Sequence, residues 1–210
     1  MIDDKWSMLR RKVMTSIIGE DVKNMTKEPS DSLGRMIRTE DIPTIDLYMD
    51  QIIQLFEQTF ADTKRDKNDK IMTKTMINNY AKGGLLFPIQ KKRYSREHIM
   101  LIALIYELKG ILSVHDIKTA LRRISKEGLP QEMDGVYTRY LALADENLQL
   151  FKTEIRHHQE RVASQIAEME ADEEVQDILM ILTCVNMSNL YRRMAEDLID
   201  GLEDPDEESL

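Results

Sequence analysis

From Met133 to Gly201 an apolar residue returns at nearly every third or fourth position, a spacing that leaves room for little except long helices. Tyr140, Ala144, Leu148, Phe151, Ile155, His158, Val162 and Ile166 make one stripe, and Val175, Ile178, Leu182, Val185, Leu190, Met194 and Leu198 make a second. Each follows the 3.6-residue period of a helix with one apolar face. The acidic run "EADEE" between them predicts the turn of an antiparallel hairpin over residues 131–202. A two-helix hairpin cannot bury both stripes deeply against itself. It is therefore expected to pack on the rest of the chain or on a second copy, which makes it the predicted dimerisation region. Only 8 Gly and 5 Pro stand against 42% apolar and 32% charged residues, a balance that favours helices over sheets with their many turns. The predicted fold class is all-α.

At 210 residues the chain has room for one ordinary domain with an appendage and can bury a real core. Residues 1–41 read as an amphipathic helix carrying Trp6, Leu9, Val13 and Ile17, then a linker through "KEPSDSLG" and "RTEDIP". Residues 42–130 read as the main domain and 203–210 as an acidic tail. Within the domain, Asp46 is the expected cap of a helix bearing Leu47, Met49, Ile52, Ile53, Leu55, Phe56 and Phe60. Thr73 caps "KTMINNYAK", which Gly83 and Gly84 stop. Ser95 opens "REHIMLIALIYELKG", and Ser113, with Asp116 three residues on, opens "VHDIKTALRRISKEG", ended by Gly128.

The formal net charge is −9, but it is unevenly spread. Asp62–Glu97 holds ten Lys/Arg against four Asp/Glu, whereas Glu168–Leu210 holds two against fourteen. A basic middle and an acidic end point to a polyanionic partner for one part of the chain only.

The basic middle has an order of parts with a physical meaning. A helix and a loop precede the short helix 73–82, which is predicted to expose Lys74, Thr75, Asn78, Asn79 and Lys82. Then "LLFP" turns the chain, and residues 88–94 make a basic excursion before the next helix. That is the order of a winged helix-turn-helix. A short helix fits the major groove, Asn can pair with an adenine edge through two hydrogen bonds, and Lys or Arg on a wing can reach phosphates. Lys91, Lys92, Arg93, Tyr94 and Arg96 are the wing candidates, with Tyr94 anchoring through its ring and offering its hydroxyl. Lys64, Arg65, Lys67 and Lys70 in the preceding loop add charge on the same expected side.

These residues resemble the MerR-like DNA-binding domain of bacterial transcription regulators. "MINNYAKGGLLFP", "KKRYS" and "ILSVHDIKTAL" stand in the places of that family's recognition helix, wing and following helix. Asn78 occupies the position of the family's DNA-contacting Arg, Asn79 that of the first Tyr, and Tyr80 keeps the second. The loop Ala61–Met72 is longer than the family's turn, and the wing is shorter. More narrowly, "IDLYMDQII", "TKTMINNYAK" and "KKRYSREHI" look like uncharacterised proteins of Gram-positive bacteria grouped as a domain of unknown function, over roughly Asp41 to Leu202. The resemblance implies a MerR-like winged helix-turn-helix DNA-binding fold. A homodimer on double-stranded DNA, acting in transcription regulation, is expected because one module of this size makes too few contacts for specificity.

Other chemistry finds little footing. There is no phosphate loop, nucleophile elbow or metalloprotease helix motif. Adjacent His157 and His158, with Glu154 a turn earlier, point to different faces of a helix, so neither metal nor cofactor is expected. Cys184 reads as a small buried hydrophobe in a reducing, cytoplasmic setting. The apolar runs "IMLIALIY" and "ILMILTCV" are too short to span a bilayer. Two rival readings stand beside the DNA-binding one. The first is a helical adaptor using the winged-helix core and the Met-rich hairpin for protein contacts. The second is a regulator with a small-molecule effector pocket between the hairpin helices.

Overall fold

The computed structural model describes residues 29–126, 130–169 and 173–202. The expected N-terminal helix, the Gly128 stop and the acidic tail lie outside these residues, as does most of the "EADEE" turn. Among the described residues are six α-helices and one small sheet: β1 (Leu47–Tyr48), α1 (Met49–Thr59), α2 (Lys74–Lys82), β2 (Arg93–Tyr94), α3 (Arg96–Leu108), α4 (Val114–Lys126), α5 (Pro130–Met169) and α6 (Glu173–Asp200). The fold is mostly helical, and the one departure from an all-α chain is the antiparallel pairing of Leu47 with Tyr94 and Tyr48 with Arg93. Asp31–Glu146 and the described part of Leu190–Leu210 form one compact unit, and Asn147–Asn189 fall in another.

The first unit is built around α3. Its residues His98 to Ile105 are all buried, as expected of a helix surrounded on every side. Ile52 and Phe56 of α1 and Ile77 and Tyr80 of α2 join the same core. Phe56, Phe60 and Tyr106 form an aromatic cluster, with Phe60 and Tyr106 centroids 4.6 Å apart. Each of these side chains contributes roughly 1.5–3 kcal/mol by leaving water.

Local signals set most helix ends. Thr73 Oγ1 accepts the Met76 N–H at 3.2 Å. Ser113 and Asp116 form a reciprocal box, each side chain accepting the other's backbone N–H at 3.1 Å. At the end of α2, Leu85 N–H reaches Tyr80 O and Gly84 N–H reaches Ala81 O, while Gly84 sits at φ 70°. This is the Schellman stop, and its left-handed position favours glycine.

Asp46 is not the cap of α1. The preceding residues pair with β2, so the helix begins two residues later, where Gln51 Oε1 accepts the Tyr48 N–H at 2.8 Å; Leu47 is a strand residue.

The linker expected up to residue 41 is instead part of a strap, residues 31–46, that packs on the first unit. Ile37 and Ile42 are buried to 1% and 2% exposure. Tyr137 donates its hydroxyl to Ile37 O at 2.6 Å, and Arg38 grips Asp145 with two hydrogen bonds of 2.8 and 2.6 Å. These bonds tie the strap to the first part of α5, so this unit runs on to Glu146 and includes residues that the sequence assigns to the hairpin.

The other unit is sparser. Val162, Ala163 and Ile166 of α5 are buried, but Ile178, Ile181, Leu182 and Val185 of α6 are 48–61% exposed. Cys184 is exposed among them, because the apolar neighbours that suggested burial are themselves in solvent. No helix among the described residues is long and apolar enough to cross a membrane.

Candidate nucleic-acid interface

The face of α2 follows from its sequence. Ile77 and Tyr80 turn inward, and Lys74, Thr75, Asn78, Asn79 and Lys82 are all exposed. They recur at steps of one, three, one and three residues, which places all five on one side of a helix. Lys74 Nζ lies 2.7 Å from Asp50 of α1, with both side chains well exposed. An ion pair in that setting contributes at most about 1 kcal/mol, so a competing anion can displace it. Tyr80 is core, and burial raises its hydroxyl pKa above the usual tyrosine value.

Leu85, Leu86 and Phe87 are all buried and carry the chain from α2 to the wing. The expected wing, residues 88–94, contains a tight hairpin turn closed by a bridge between Gln90 and Arg93. Arg93 N–H bonds Gln90 O at 2.9 Å, and the two residues between them, Lys91 and Lys92, have φ of 49° and 59°. Two successive left-handed residues make the turn that matches strand twist, a place usually held by Asn or Gly. Filling it with lysines costs about 1–2 kcal/mol each and sets both exposed side chains at the hairpin tip. Arg93 stands 5.2 Å from the centroid of the Tyr48 ring. Tyr48 is half exposed, and this cation–π partner carried no periodic signal of its own.

Tyr94 and Arg96 are placed differently. Tyr94 is 3% exposed, so it anchors the wing as a core residue and presents no phosphate-binding surface. Arg96 donates to Ile42 O at 2.7 Å and to Asp134 Oδ1 at 3.2 Å, clamping the strap and α5 onto the start of α3. In the loop, Lys64 is drawn 2.6 Å from Glu57 Oε2 and is largely buried. Its hydrogen bond holds the Glu57 carboxyl below the usual range, and Glu57 Oε1 also accepts the Ile71 N–H at 2.8 Å. The loop is thus pinned, and Arg65, Lys67 and Lys70 are its exposed cations.

His98 joins wing and core. Its Nε2 lies 3.3 Å from Phe87 O, which can only accept, so the proton is assigned there; Nδ1 then accepts the Ser95 N–H at 3.2 Å. Burial lowers the imidazole below its ordinary pKa, favouring this neutral form. Phe87 and Tyr94 both meet its ring edge-to-face. Among the described residues no three His, Cys, Asp or Glu side chains converge on a metal-binding position.

Residues 37–140 match a family model described as a domain of unknown function (DUF1836). No curated protein and no solved structure matches the chain. The matched span begins at buried Ile37 in the strap and ends within α5, close to the limits of the first unit's Asp31–Glu146 segment.

Proposed function

We propose that this chain is a DNA-binding protein, a bacterial transcriptional regulator. Its first unit acts as a MerR-like winged helix-turn-helix, with α2 in the major groove and the hairpin of residues 88–94 on the adjoining backbone. The observation that carries the reading is the solvent face of α2: two lysines, a threonine and two asparagines mounted on a buried Ile77 and Tyr80. A short buried connection leads from it to a hairpin tipped by Lys91 and Lys92. Asn78 and Asn79 have the donor and acceptor pair that reads adenine, and Lys74, Lys82, Lys91, Lys92 and Arg93 supply charge for phosphates. Two copies acting on a two-fold site double contacts that one module makes too few of.

Asn78→Ala should relax sequence preference at one position of the site. Lys92→Ala should weaken binding evenly across sequences and reduce the salt slope by about one. Binding titrations with both variants check the docking, which fails if neither changes binding.

The adaptor reading rests on the exposed apolar residues of α6. A chain that ignores DNA at low salt yet captures a protein through α6 would favour it.

A further inference from the structure

The last three turns of α6 carry a run of exposed apolar side chains that the core of the first unit does not use. Leu190, Tyr191, Met194, Leu198 and, just beyond the helix, Leu202 are 51–61% exposed. Tyr191, Met194 and Leu198 step by three and then four residues, the spacing by which one helix seats its side chains between those of another. The remaining face is already partnered: Ile199 is buried, and Arg192 bridges Glu196 at 2.6 Å on the same side. The stripe contains no charge. At half exposure or more, its five side chains present roughly 500 Å², near the top of the ~300–600 Å² found for the largest patch on a soluble monomer. That is also most of the ~800 Å² that each partner of a standard interface buries.

We infer that this stripe is where two copies of the chain meet, across a two-fold axis that sets each α6 against its counterpart. This rests on the two-copy reading of the DNA complex and names the surface that reading requires. A two-fold uses the same patch on both copies, residue i of one meeting residue j of the other and j meeting i, and an uncharged apolar stripe can serve on both sides without opposing like charges. An apolar seam is little affected by screening, while salt weakens any DNA complex.

Sedimentation equilibrium of the full chain without DNA tests this. The wild type should be a dimer at micromolar concentration in both 0.1 M and 0.5 M salt. Met194→Glu should be a monomer with unchanged helix content by circular dichroism, since Met194 is 56% exposed and its replacement leaves no cavity. Ile181→Glu, on the apolar face of the other unit, should remain a dimer. A monomeric wild type overturns the inference, as does a dimer that Ile181→Glu dissociates and Met194→Glu leaves intact. A monomer that still binds DNA would sink the seam alone, and a dimer that never binds DNA would sink the DNA reading alone.

Discussion

The two units treat the same kind of residue in opposite ways. Between Asp31 and Glu146 the large apolar side chains are mostly inside, and α3 buries eight consecutive residues. Between Asn147 and Asn189, α6 holds Ile178, Ile181, Leu182 and Val185 about half in water or more. Apolar residues at helical spacing guarantee a helix in both places. They guarantee a core only where several elements converge, as α1, α2, α3 and the strap do. A long helix without such neighbours keeps the pattern and loses the burial.

Substitutions should separate the two regions by size of effect. Phe56→Ala, at 0% exposure in the aromatic cluster, should cost about 3–5 kcal/mol in urea denaturation. Tyr137→Phe removes a bond to buried Ile37 O and should cost about 1–3 kcal/mol. A smaller loss would mean that the strap adds little to the first unit. Gly84→Ala meets no atom within 4 Å, so its cost is conformational alone, about 1 kcal/mol at positive φ. Leu182→Ala, at 57% exposure, should shift stability by no more than about 0.5 kcal/mol. A loss comparable to that of Phe56→Ala would erase the contrast between the units.

His98 adds a pH signature confined to the first unit. Its folded pKa lies below the ordinary 6.5, so as pH falls through that value the unfolded chain takes up the proton first. The contribution is therefore complete above about pH 6.5 and declines as the pH drops toward the lowered folded value. The urea midpoint should fall on going from pH 7.5 to 5 in the wild type. His98→Gln should lose that part of the slope; an unchanged slope would show that other groups set it.

How much the sequence revealed depended on the range of the interactions involved. Caps at Thr73 and Ser113 and the Gly83–Gly84 stop are local, decided by residues three or four apart, and were legible. The start of α1 was not, because Leu47 and Tyr48 are taken by a strand 46 residues further on. The strap escaped because it buries only Ile37 and Ile42, without periodicity, amid the polar signals of a loop. At the candidate site, the exposed face of α2 could be read from periodicity alone. Arg96 could not be separated from the wing cations, since only the fold reveals Ile42 O and Asp134 beside it. Lys64 was lost to Glu57 for the same reason.

The most direct test of the central claim is the binding of the purified chain to random and selected duplex DNA across a salt series. Five cations per copy on α2 and the hairpin predict a preferred two-fold site and a slope of log K on log salt of about −4.5 per copy. Lys91→Glu/Lys92→Glu should reduce that slope by about two. No binding at low salt, or a slope that charge reversal at the hairpin tip leaves unchanged, would contradict the account.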